Sequence, residues 1–275
     1  MRTLMAMGVI DSGMSAGDRD DGPRTLKTVT MASRVIDAVR ESGGVGVSEL
    51  ATELDVSKST AYIHLKTLEE NGFLVQRDGR YELAFKFFVL GESARSQSPL
   101  YRYGKPKVDE LADETDQYTH IVTEENGRGI NLYQVKGETG VDGDYQSAKL
   151  QQRDHLHYTA SGKAILAYLP RDRVAEIVDQ HGLPAQTANT ITDRETLFDE
   201  LETVRDRGYA YNDEEEIEGF CAIGAPVRSP TGDVLGSLSV SAPARFMRDE
   251  QARDRLSERV MRSANVIEVN INMSS

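Results

Sequence analysis

The stretch VSELATELDVSKSTAYIHLKTLEENGFLVQRDGRYEL, residues 47–83, constrains the fold of this chain more than any other. Val47, Leu50, Ala51 and Leu54 recur at three- and four-residue intervals, so they line one face of a short helix. Ser48 suits the N-cap of that helix, with Glu49 in its positive first turn. Asp55 follows where the chain must turn sharply, and Asp tolerates the left-handed conformation better than most residues. Ser57 caps a second helix, with Ala61, Leu65 and Leu68 as its buried positions and Asn71-Gly72 as its end. Residues 73–77 and 80–83 read as strands around Asp78-Gly79, a pair that favours a two-residue type I′ hairpin. Upstream, Val29, Ser33, Ile36 and Val39 mark a preceding helix. Three helices and then a ribbon is the layout of a winged helix-turn-helix, which fits a helix into the major groove of duplex DNA.

On that layout the exposed side of the second motif helix decides what is read. Ser57, Lys58, Ser59 and Thr60 crowd its N-terminus, where free N–H groups and the helix dipole attract phosphate. Tyr62 and Ile63 project outward and can meet base edges or thymine methyls, whereas Lys66 suits phosphate. Arg77 and Arg80 flank the hairpin tip and can grip the backbone or the minor groove. The blander alternative is a small helical domain with ordinary exposed residues. Another is a sensor whose head makes protein contacts rather than DNA contacts. Helices and ribbon in this order favour DNA.

Charge first argues the other way, since a net charge of -13 suits a polyanionic partner poorly. The distribution matters more than the sum. Residues 24–90 carry nine Lys plus Arg against nine Asp plus Glu, while residues 91–275 carry 21 against 32. The acid is therefore concentrated away from the expected DNA surface. Arg (23) also far outnumbers Lys (9), a balance expected of proteins adapted to very high salt, where screening is severe. Such a head cannot lean on counterion release as a basic repressor does.

Length suits two domains, and no apolar run is long enough to span a membrane. The single cysteine, Cys221, excludes an intrachain disulfide and a cysteine-based structural zinc site. Residues 1–23 are Gly-, Asp- and Ser-rich without a secretory apolar segment, so a disordered extension and a cytoplasmic location are expected. The winged head is expected over 24–84. A linker follows over 85–116, with an apolar stretch at Phe87, Phe88 and Leu90, a break at Ser98-Pro99, and a second helix carrying Val108 and Leu111. Linker helices of this kind can pair between subunits, and a two-fold dimer matches the half-sites of a palindromic operator.

Residues 117–275 mix strands and helices, the pattern of an α+β sensor domain. Residues 118–123 and 129–135 read as an antiparallel pair around Asn126-Gly127, and 221–227 and 234–241 as another. Helices are expected at 164–169, 171–180, 193–207 and 248–267. Enzyme chemistry finds little support. His155 and His157 fall short of a metal motif, Ser161 lacks the Gly-x-Ser-x-Gly elbow, and no Gly-rich phosphate loop is present. The acidic run 213–216 reads as a solvated loop or lid, because consecutive residues cannot all face one ion. No cofactor and no metal are expected.

Four pieces together resemble the IclR family of transcriptional regulators: LDVSKSTAYIHLKTLEENGF with RDGRYEL, YTASGKAILAYL, RGYAYNDEEEIEGFCAIGAPV, and GSLSVSAPA. They stand in family order and cover about residues 24–270. The resemblance implies a winged-helix head, a linker helix and a GAF-like effector domain that binds a small molecule such as an organic acid, an aromatic compound or a sugar catabolite. It also implies a homodimer or homotetramer that represses or activates. Ser239 and Ser241 fall where the family places ligand-contacting serines, and their alternation puts both on one side of a strand. Ala160 and Ser161 precede the Gly162 turn into a helix, where N–H groups can hold a carboxylate. Asn212 and Ala222 match two further pocket positions that acid-binding members fill with Asp and Cys. Here the cysteine stands one place earlier, at 221, so a short keto acid is not carried over.

Overall fold

A computed structural model describes residues 25–137 and 153–274, so the extension expected over 1–23 lies outside the described residues. The chain divides into a unit ending at Val89 and a larger one beginning at Leu90. In the smaller unit, α1 (Lys27–Ser42), α2 (Val47–Glu53) and α3 (Lys58–Glu70) enclose one apolar core. The stripe that α1 turns inward runs through Val35, Ala38 and Val39, while Val29 is exposed. The expected helix is therefore present, with Val39 buried and Ile36 packed beside it, but its inner stripe is shifted, since Met31 and Ala32 rather than Val29 and Ser33 meet the core in its first half.

α2 starts earlier than Ser48. Backbone bonds between Val45 and Tyr81 fix the chain just before it, at 3.0 and 2.9 Å. Gly46 then takes the N-cap position, and the Glu49 carboxylate accepts its N–H at 3.1 Å. Asp55 has φ 53, the left-handed conformation expected of it. Ser57 caps α3 by accepting the Thr60 N–H at 3.1 Å, and Ala61, Leu65 and Leu68 are buried as the spacing requires. β1 (Leu74–Arg77) and β2 (Arg80–Leu83) pair antiparallel. At the tip Asp78 has φ 48 and Gly79 φ 79, so both central residues are left-handed and the turn is type I′.

The linker residues divide between two roles. α4 (Lys86–Gln97) buries no residue, and Phe88, Val89 and Leu90 are all exposed. α5 (Pro99–Thr115), capped by Ser98, instead buries Leu100, Val108, Leu111 and Ala112 in the larger unit. There a six-stranded antiparallel sheet runs in the order β5-β4-β3-β8-β7-β6. Its strands are β3 (Tyr118–Glu125), β4 (Arg128–Val135), β5 (Arg153–His155), β6 (Ala210–Asp213), β7 (Phe220–Arg228) and β8 (Val234–Pro243). Asn126 and Gly127, with φ 54 and 76, close the β3–β4 hairpin where the sequence places it.

Alternation along the strands sorts side chains to two faces. Ile121, Ile223, Leu238 and Val240 join one core with α5 and the long helix α10 (Glu250–Asn272). α10 runs past the expected end at 267 because Val260, Ala264, Ile267 and Ile271 keep the helical period. A short helix, α9 (Ala244–Met247), precedes it. The opposite face is covered by α6 (Ala160–Leu166), α7 (Arg171–His181) and α8 (Arg194–Arg207), packed with Val122, Leu156 and Ala210. The fold is α+β. No helix among the described residues is long and apolar enough to cross a membrane.

Candidate functional site

Helical spacing puts Ser59, Tyr62, Ile63 and Lys66 on one side of α3, away from Ala61, Leu65 and Leu68. Tyr62 is 50% exposed and Ile63 59%, so two large apolar side chains stand in water on a helix whose other side is fully packed. Lys58 and Ser59 are exposed in the first turn, whereas the Ser57 and Thr60 hydroxyls bond to each other at 2.8 Å. Lys66 pairs with Glu69 at 2.7 Å, which holds its ammonium above the ordinary lysine range. The ribbon arginines are both paired within the unit. Arg77 bonds Glu82 at 2.7 Å, while Arg80 reaches back to Glu49 at 2.9 Å and the Gly44 carbonyl at 2.6 Å. Arg80 thus ties the ribbon to α2, a role its position beside the hairpin tip did not announce.

The second candidate site lies on the α6-facing side of the sheet. Ser241 pairs in register with Tyr118 of β3 and Ala222 of β7, and Ala222 with Asn212 of β6. One row therefore reads Tyr118–Ser241–Ala222–Asn212, and the next places His120, Ser239 and Gly224 side by side. Tyr118 and His120 are members of this face that family motifs missed; the alternation of β3 was the available signal. All of these side chains are buried.

α6 sits directly on this face. Ala160 and Ser161 form its first turn rather than preceding it, because Thr159 is the N-cap and accepts the Gly162 N–H at 2.9 Å. Gly224 admits the approach, since a Cβ there would lie 2.7 Å from the Ala160 carbonyl oxygen. Ser161 and Ser239 consequently bond hydroxyl to hydroxyl at 2.7 Å. The Asn212 amide is engaged at both ends, donating to the Tyr158 carbonyl at 2.5 Å and accepting the Glu215 N–H at 3.0 Å. The Ser241 hydroxyl makes no hydrogen bond among the described residues.

A buried ion pair lies behind the site. Lys163 on α6 is 1% exposed, and its ammonium donates to Glu215 Oε1 and the Tyr211 carbonyl, both at 2.6 Å, and to Glu200 at 3.3 Å. The acidic run is therefore no solvated loop at its centre. Glu215 is buried, and Thr187 and Thr190 strap the run by donating to the Glu214 and Glu215 carbonyls at 2.7 and 2.6 Å. Burial pushes the Glu215 carboxyl above the usual range, with Lys163 opposing it.

Three of the five histidines gather at the other end of the sheet. The His155 ring meets His157 and His181 edge-on, at 5.5 and 6.3 Å between centroids. Burial, then Arg128 and the neighbouring rings, lower the His155 pKa to about 4, and burial lowers His157 as well. Neutral His155 thus supports the fold above the ordinary histidine range, and that support is lost as pH falls from about 6.5 toward 4. Urea unfolding at pH 7.5 and pH 5 is expected to show a loss of about 1 kcal/mol, the solvent the ring partly meets having roughly halved the full effect, that His155→Asn largely removes.

A winged-helix head followed by an α+β domain with a polar inner face is the build of a DNA-binding regulator with a separate effector domain. Comparison with known proteins is more specific. The IclR helix-turn-helix domain matches residues 28–78, and the bacterial transcriptional regulator IclR C-terminal domain matches residues 93–269. The "Probable HTH-type transcriptional regulator ArcR" of Halobacterium salinarum is 39% identical over 250 residues, covering 90% of this chain and 95% of that protein. The crystal structure of Thermotoga maritima IclR aligns with a TM-score of 0.69 at 29% identity, over 89% of this chain and 98% of that one. An IclR homolog from Microbacterium hydrocarbonoxydans, complexed with 4-hydroxybenzoate, shares the fold at a TM-score of 0.77 and 20% identity, over 90% and 100%. The chain belongs to the IclR family of transcriptional regulators, and it is not an enzyme.

Proposed function

We propose that this regulator controls catabolic genes by placing α3 in the major groove of a palindromic operator, and that a small organic-acid or sugar catabolite in a GAF-like effector domain tunes its grip. The observation that carries the DNA reading is the stripe Ser59–Tyr62–Ile63–Lys66, with two exposed apolar side chains opposite a packed core. Tyr62 and Ile63 read base edges; Lys66, Lys58, Ser59 and the capped N-terminus with Ser57 and Thr60 take phosphate. Arg77 takes backbone at the ribbon, with Arg80 positioning the ribbon for it. Phe85 just before α4 and Phe88, Val89 and Leu90 on it, all exposed, form an apolar stripe for a second copy of the chain. The resulting homodimer offers two heads to two half-sites. The acidic surface keeps the protein hydrated in high salt, so base contacts carry much of the affinity.

On promoter DNA at any one salt concentration, Tyr62→Ala and Ile63→Ala should each weaken specific binding by about 1–3 kcal/mol, while Lys66→Ala lowers it for all sequences and, across a salt titration, flattens the salt slope by about one. Unchanged DNA binding with loss of a protein partner would instead make the head a protein-contact module.

In the effector domain, Ser239, Ser241, Ser161 and Ala160 face the ligand, with Ala222 lining the wall and Asn212 framing it. The unengaged Ser241 hydroxyl supports this reading. A thermal-shift screen of catabolic acids and sugars identifies the ligand. Ser241→Ala should then cost it about ten-fold in affinity, with the free protein's stability changed by no more than about 0.5 kcal/mol. A full ligand response in that variant would remove Ser241 from the site.

A further inference from the structure

Arginines of the larger unit mostly sit on carboxylates, as Arg173, Arg194, Arg207 and Arg228 do. Arg245 and Arg255, like Arg102 and Arg262, do not. Among the described residues neither has an acidic partner or a hydrogen-bond acceptor. Together with Arg259 they line a cleft of about 450 Å³ where the end of α5 meets α9 and the start of α10. Arg259 donates to the Glu114 carbonyl at 3.2 Å, leaving other guanidinium N–H groups for the cleft.

The remaining walls give the cleft its chemistry. Phe246, 41% exposed, and Leu256 and Ala252 supply an apolar side. Two acids line the rim, but Asp249 is committed as the cap of α10, accepting the N–H groups of Gln251 and Ala252 at 3.0 and 3.3 Å. Three guanidinium groups against two carboxylates make this cleft locally cationic, within a stretch of chain (91–275) that carries 11 more acidic than basic side chains. Exposed guanidinium groups without a bonded carboxylate keep their N–H forks free for an incoming anion. α5 and α10 cover the sheet face opposite Ser239 and Ser241, so the cleft is separate from the proposed effector face.

We infer that this cleft is a second small-molecule site, which takes a carboxylate- or phosphate-bearing metabolite with a flat apolar body: Arg245 and Arg255 hold the anionic end and Phe246 the body. Its volume lies in the range of small-ligand pockets, and arginine pairs suit bidentate anions. The full-length protein is titrated with phthalate and, separately, inorganic phosphate, at constant ionic strength, by calorimetry. Saturable phthalate binding is expected, weakened about ten-fold by Arg255→Ala and further by the Arg245→Ala, Arg255→Ala pair. Phe246→Ala should weaken phthalate but leave phosphate unchanged, and Ser241→Ala should change neither. Phosphate binding as tightly as phthalate would support the anion end and assign phosphate as its head group, while removing the role of the ring. The proposal is overturned by absent saturable binding, by equal binding in the double arginine variant, or by loss in Ser241→Ala instead. It is also overturned if the arginine substitutions change only sedimentation, which would make the cleft a contact between copies.

Discussion

Lys163→Met is expected to destabilise the larger unit by about 3–5 kcal/mol, because removing one member of a buried pair leaves the other charge uncompensated. Glu215 would keep its place under the Thr187 and Thr190 straps, yet lose the ammonium now 2.6 Å from its carboxylate. Methionine preserves much of the volume, so the loss reports charge rather than a cavity. The pH dependence separates the two. With Lys163 gone, only the long bond from the Asp213 N–H still opposes the upward push of burial on Glu215, so its folded pKa rises further above its unfolded value. A group raised in that sense contributes stability below its unfolded pKa and loses it as pH rises through the folded one. The deficit of Lys163→Met relative to wild type should therefore shrink as pH falls from 7.5 to 5, measured by urea unfolding. Taking the difference cancels the histidine contribution, which runs the opposite way. Adding Glu215→Leu to Lys163→Met should recover most of the deficit at pH 7.5. A pH-independent deficit, or no recovery in the double variant, would show that Lys163 acts through packing and its bond to the Tyr211 carbonyl rather than through the pair with Glu215.

Gly162→Ala is expected to cost about 3 kcal/mol or more, at the upper end of overpacking, since the atoms in the way are backbone. A Cβ on Gly162 would lie 2.1 Å from the Leu156 carbonyl oxygen and 2.4 Å from its Cα. Neither can rotate aside. The tight turn at 156–158 would have to lift from α6, and with it the contact that brings Ser161 to Ser239. The variant should accordingly lose stability and effector response together. Gly91→Ala is the matched control: it lies within α4, nothing stands within 4 Å of its added Cβ, and helix propensity predicts a gain of up to about 1 kcal/mol. Equal behaviour of the two variants would show that close approach at Gly162 is not what positions α6.

What the sequence disclosed follows from the range of the interactions involved. The head was almost wholly legible, because the Ser57 cap, the Ala61–Leu65–Leu68 spacing and the Asp78-Gly79 turn act within a few residues of chain. Its two errors came from contacts across the fold. The Val45–Tyr81 bridge moved the start of α2, and packing against α2 and α3 shifted the inner stripe of α1 to Met31, Ala32, Val35 and Ala38 beside Ile36 and Val39. In the larger unit the serines of β8 were placed by the family motif and by alternation together. Tyr118 and His120 were equally readable from β3 but carried no motif to draw notice. Lys163 and Glu215 were not legible at all. They stand 52 residues apart, and an isolated lysine on a helix and an acidic run both read as solvated until the fold sets one upon the other.

β6 is the outermost strand on its side of the sheet, four residues long, with one flank unpaired by any described strand. Such margins invite strand addition from neighbouring molecules. By fastening to the Tyr211 carbonyl, the ammonium of Lys163 occupies an acceptor that an incoming peptide would need. Self-association into β-rich aggregates should therefore begin from this side when that lysine is lost, which makes one side chain a guard on colloidal behaviour as well as a member of the interior.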